Sequence, residues 1–137
     1  MKRPTKKKKA RLRWGLCIFG GLAAFVTSLL LTIAVVSAYA ITLGIELRGK
    51  PSAARIQTFA AELAPLMGPM LLFLTTVVAA GRVARRTKAP TLHGTLVGVV
   101  AATAALLPAW PIDLRDVLIT IAVIGAGWLA GSFGGSE

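Results

Sequence analysis

"WGLCIFGGLAAFVTSLLLTIAVVSAYAITL", residues 14–43, decides the fold. Its 30 residues contain no Asp, Glu, Lys, Arg or His. About 20 consecutive apolar residues suffice to carry a helix across ~30 Å of hydrocarbon. The stretch therefore reads as a membrane span, long enough to tilt or to protrude. The pattern then recurs: residues 63–81, 90–107 and 114–133 are further runs of 19, 18 and 20 mostly apolar residues. The predicted fold class is all-α, an integral membrane four-helix bundle with short loops. A basic tail (1–13) precedes the four-span domain (14–133), and a short tail (134–137) follows it.

Composition agrees. Of 137 residues, 55% are hydrophobic and 15% charged, whereas a soluble domain carries about 25% charged residues. The formal net charge of +11 does not point to nucleic acid, because the charges gather at the ends of apolar runs and no aromatic stacking platform accompanies them. The lone Cys17 has no partner for an internal disulfide.

The connections carry their own signals. Residues 44–62 form the longest, and in it "SAARIQTFAAEL" from Ser52 predicts a short interfacial helix leading into the second span. Residues 82–89 are a short basic loop. "PAWPID", 108–113, is a proline-closed turn from which Asp113 caps the fourth span, with Asp116 well placed in its first turn. In the second span, Pro69 removes a backbone hydrogen bond and its ring crowds the carbonyl of Pro65, which predicts a kink.

Charge sets the orientation. The tail holds eight basic residues: Lys2, Arg3, Lys6, Lys7, Lys8, Lys9, Arg11 and Arg13. The 82–89 loop adds Arg82, Arg85, Arg86 and Lys88. The opposite side has only Arg48, Lys50, Arg55 and Arg115. Both termini are expected in the cytoplasm, in a multi-pass chain of a bacterial inner membrane. "SAYA" at 37–40 resembles a signal cleavage site, but the apolar run before it exceeds the ~7–15 residues of a signal core. A retained anchor is the expectation; cleavage after Ala40 would leave three spans.

Small residues recur four apart: Gly20, Ala24 and Ser28 in the first span, Gly94, Gly98 and Ala102 in the third, and Gly127, Gly131 and Gly135 in the fourth. Positions i and i+4 share a helix face. Lipid tails are as apolar as leucine, so helices associate where small residues let backbones approach. These stripes predict close helix contact in the cytoplasmic half.

Chemistry is harder to find. Ionisable groups held at membrane depth are a default sign of function, and none is expected at mid-depth. Glu46, Glu62, Asp113 and Asp116 fall at or beyond the outer interface. One histidine and one cysteine cannot complete a tetrahedral metal site. Catalytic residues, cofactor and metal are accordingly not expected. The hydroxyls of Thr27, Ser28, Thr32, Thr75, Thr76 and Thr103 are expected to bond within their own helices. His93 lies near a helix N-terminus among basic residues, both of which oppose further positive charge. A neutral, interfacial imidazole is expected, bonding water, lipid, a partner or a neighbouring helix. The tail cations Lys6, Lys7, Lys8, Lys9, Arg11 and Arg13, with Arg85, Arg86 and His93, are the candidate contacts for anionic lipid or a partner.

The segment "AAGRVARRTKAPTLHGTLVGVV", residues 79–100, places small residues and Gly81 before an Arg/Lys loop, then His93-Gly94 and Gly98. In that order it resembles the YrzE-like membrane proteins of bacteria. The resemblance implies four helices and a bacterial membrane, and it assigns no activity or site residues. The functional expectation is a small non-enzymatic membrane protein, structural or accessory, engaging anionic lipid or a larger membrane partner. The alternative is a homo-oligomeric transporter, channel or holin-like pore. Small multidrug exporters depend on a carboxylate in their first span, and residues 14–43 have none.

Overall fold

With no proline between residues 5 and 50 and alanine, leucine and valine in quantity, the first apolar run has nothing to stop a helix. In the computed structural model, which describes residues 13–47, 49, 52–109 and 111–134, it forms α1 (Trp14–Glu46). Three more helices follow: α2 (Ala53–Ala84), α3 (Pro90–Leu106) and α4 (Leu114–Phe133). At 1.5 Å per residue, α1 and α2 are each about 50 Å long, α4 about 30 Å and α3 about 25 Å. Three of the helices, α1, α2 and α4, are long and apolar enough to cross a membrane; α3 is apolar but has 17 residues. These helices point to membrane association.

The second helix differs from expectation. The interfacial segment and the span form one helix from Ala53, because Ala53, Ala54, Ala60, Ala61, Glu62, Leu63 and Ala64 all favour helix and no glycine divides them. It also runs on to Ala84, so Arg82 belongs to α2 rather than to a loop. Pro65 and Pro69 lie inside the helix without ending it. Pro69 has no N–H to offer the Pro65 carbonyl four residues back. The Arg115 guanidinium, from the first turn of α4, donates to that carbonyl instead.

The helix ends follow local rules. Pro90 opens α3 at a position where a missing N–H costs nothing. Asp113 and Asp116 form a capping box on α4: the Asp116 N–H donates to Asp113 at 3.0 Å, and the Asp113 N–H donates to Asp116 at 3.2 Å. α1 starts with no side-chain cap of its own.

The helices pack as a rhombus. α3 lies against α4 and α1, α2 lies against α1 and α4, and α2 and α3 meet across the short diagonal, while α1 and α4 do not touch. Buried residues concentrate where α1 begins. One cluster joins Cys17, Ala80, Val83 and Val97; the next joins Ala24, Leu72, Ala101, Ala102 and Val123. At the other end the α1–α2 hairpin outreaches the shorter pair and is pinned by Tyr39 stacked on Phe59, ring centroids 3.7 Å apart.

Candidate functional site

The end of the bundle where α1 starts holds Gly20, Gly94 and Gly131, His93, and Arg13, Arg82, Arg85 and Arg86. Its first component is a glycine seam. A β-carbon on Gly94 would strike the Gly127 carbonyl oxygen and lie 2.8 Å from Gly131 Cα. One on Gly98 would lie 2.9 Å from the Val123 carbonyl oxygen, and one on Gly131 2.7 Å from that of Pro90. α3 and α4 thus touch backbone to backbone, which only residues without a β-carbon allow. Gly20 faces side chains instead, with Val83 at 3.0 Å and Val97 at 3.3 Å from its β-position. Ala24 is buried in the central cluster. Gly135 lies outside the described residues.

Gly21 was not among the expected packing glycines, yet its β-position falls 2.5 Å from Val100 Cβ and 2.9 Å from the Val97 carbonyl oxygen. The signal was the doublet: adjacent helical residues point about 100° apart, so two glycines open two faces. Gly20 opens toward α2 and α3, Gly21 toward α3 alone.

The second component is His93. It was expected as a neutral imidazole at a wet interface, bonding water, lipid, a partner or a neighbouring helix; it is 1% exposed. Its Nδ1 lies 2.7 Å from the Ala89 carbonyl oxygen, and its Nε2 accepts from the Arg13 N–H at 3.2 Å. A nitrogen facing a carbonyl must carry the proton, and one facing an N–H must not. The ring is therefore the neutral Nδ1–H tautomer. It supplies α1 with the N-terminal acceptor that its own sequence lacks, and it ties α1 to the start of α3. Both nitrogens are used inside the chain, so of the expected alternatives the neighbouring helix is the one His93 takes. Arg13 hides this partner from sequence reading: it lies 80 residues away and contributes only its backbone.

The third component is the basic rim. Arg13, Arg85 and Arg86 are exposed. Lys6, Lys7, Lys8, Lys9 and Arg11 lie outside the described residues. Arg82, absent from the expected contacts, borders open grooves on both sides of α2.

The hydroxyls mostly bond backward along their own helices, as Thr32 does to Ser28 and Thr75 to Leu71. Two of the expected ones do not: Thr27 is exposed, and Thr76 is fully buried with no hydrogen-bond partner for its Oγ1. Among the described residues no three His, Cys, Asp or Glu side chains come close enough together to hold a metal.

Comparison with family models, with curated proteins and with solved structures finds no match to this chain. The likeness of residues 79–100 to the YrzE-like proteins therefore rests on those residues alone.

Proposed function

We propose that this chain is a four-span inner-membrane protein of bacterial type, both termini cytoplasmic, with a non-enzymatic structural or accessory role. One observation carries the reading. His93, the one imidazole in the sequence, spends both ring nitrogens fastening α1 to α3. The group best suited to proton transfer or ligation is thus committed to holding the bundle together. The same fastening fixes the point from which the polybasic tail departs. Arg13, Arg82, Arg85, Arg86 and Lys88 then lie at one end of the bundle, where an anionic leaflet attracts juxtamembrane Lys and Arg at about 1 kcal/mol each. α3 would cross as the shortest span, its about 25 Å accommodated by local thinning of the bilayer.

The test has two arms. A reporter enzyme fused after Glu137 should be active only on the cytoplasmic side; activity on the outer side overturns the orientation. Purification in mild detergent with mass determination should give the chain with lipid or a larger membrane protein. A clean homo-oligomer that conducts ions in planar bilayers would replace this reading with the pore.

A further inference from the structure

The outward face of α2 near Arg82 is built unlike the rest of the lipid-facing surface. Leu74, Val78, Arg82 and Arg85 fall on one line along the helix, and all four are exposed. An open groove runs down each side of that line. One, of about 250 Å³, lies between α2 and α1, with Ala23 and Thr27 facing Ala79. The other, of about 410 Å³, lies between α2 and α4, with Gly81 facing Ala130 and Phe133. Val78 and Arg82 border both. The second groove is open at Gly81, where a β-carbon would meet nothing within 4 Å.

We infer that this is a binding site for one anionic two-chain phospholipid. Its phosphate would lie against Arg82 and Arg85, and one acyl chain would descend on each side of Val78. The inference rests on the membrane reading proposed above and makes one part of it specific.

Charge selects the headgroup. Glu62 lies 20 residues before Arg82 on the same helix, about 30 Å away. Asp113 and Asp116 open α4, whose last turn flanks Arg82. Glu46 ends α1 at the far end of the bundle. No described carboxylate is therefore placed to neutralise the two guanidinium groups, and planar guanidinium suits phosphate oxygens. Depth also fits. The α1-side groove runs from Arg82 to Leu74, about 12 Å along the helix, so cations sit at headgroup level and apolar walls at the level of the first methylenes. A second copy of the chain is the poorer occupant. Docked through the same face, it would bring its own Arg82 and Arg85 against these.

The experiment is native mass spectrometry of the full chain released from nanodiscs of equal phosphatidylglycerol and phosphatidylcholine with identical acyl chains. The wild-type chain should retain one phosphatidylglycerol in preference to phosphatidylcholine. Arg82→Gln should lower that retention about fivefold, the effect of one cation at a membrane surface. Gly81→Leu should fill the α4-side groove and lower retention of both lipids. Arg86→Gln, whose side chain borders neither groove, should lower retention clearly less than Arg82→Gln does.

Equal losses in Arg82→Gln and Arg86→Gln would mean diffuse attraction and overturn the site. Equal retention of the two lipids would overturn its charge selectivity, and a lipid-free dimer lost in Gly81→Leu would assign the grooves to a second copy. Should Gly81→Leu unfold, the exposed arginine variants still decide. Alkali extraction of the chain from membranes would sink the membrane reading itself, whereas an integrated chain without lipid preference sinks only this site.

Discussion

In its first half α1 buries Cys17, Gly20, Gly21, Ala24 and Ser28; in its second half it buries Leu43 alone. α2 mirrors this. Nothing in it is buried before Leu72, and then Leu72, Thr76, Ala80, Val83 and Ala84 follow in helical register. What α1 buries in its packed half is small, while large residues face outward along both halves: Phe19, Ile33 and Ile41 are 75%, 60% and 64% exposed. In water the second set would form the core. Here it does not, because leucine gains nothing by leaving lipid for another helix. What draws the helices together is close approach, and glycine and alanine supply it. Bulk faces outward.

The largest effect that can test this contrast is at the α3–α4 seam. Gly94→Ala adds one methyl group against the Gly127 carbonyl and the Gly131 backbone, neither of which is a flexible side chain that can turn aside. Destabilisation of about 3 kcal/mol or more is expected, at the upper end for overpacking. Gly125→Ala is the matched control on α4. Its β-position meets nothing within 4 Å, so the better helix propensity of alanine should leave it neutral or stabilised by up to about 1 kcal/mol. Reversible unfolding in mixed micelles reads both. Similar values for the two variants would remove backbone contact as the basis of the packed half.

A smaller effect is expected at His93. His93→Leu keeps apolar bulk but deprives the Arg13 N–H of its acceptor and the Ala89 carbonyl of its side-chain donor. Loss of about 1–2 kcal/mol is expected, the range for interhelical hydrogen bonds in membranes and for an orphaned buried donor. The loss should be local as well as global. Hydrogen exchange at the first turn of α1 should quicken more than at Gly94. Unchanged exchange there would show that water or a lipid headgroup caps α1 equally well.

The sequence exposed the helices because apolar runs in lipid have few other solutions. Residues 14–43 alone imply α1, and the four-residue spacing of Gly94, Gly98, Gly127 and Gly131 marks the faces that meet. Features built from distant backbone were not legible. His93 binds the N–H of Arg13, and Arg115 serves the carbonyl of Pro65 across 50 residues. A backbone group carries no residue-specific signature, so nothing at position 13 or 65 announces its partner. Arg115 shows the cost of reading charges only by side: counted as a topology signal, it also satisfies a carbonyl left vacant by Pro69. The joining of α2 was hidden for a different reason. The polar residues Arg55, Gln57 and Glu62 break the apolar run without breaking the helix, and hydropathy marks the first kind of boundary, not the second.

The smallest effect belongs to the loose half. Tyr39 and Phe59 stack at 3.7 Å with their planes 13° apart, on a hairpin that otherwise buries only Leu43 between residues 29–46 of α1 and 53–71 of α2. Removing the stack with Tyr39→Ala should cost about 1 kcal/mol, the value of an aromatic pair. Its reach is the more telling quantity. If the hairpin end opens independently of the glycine-packed half, the variant should quicken hydrogen exchange in residues 36–46 and 53–62 and leave global unfolding where it was. Tyr39→Phe, which keeps the ring, should restore protection. A global loss comparable to that of Gly94→Ala would mean that the long hairpin and the short pair unfold as one unit. Rigidity would then pass along α1 from its packed half, and the division between the two halves would be one of contact but not of stability.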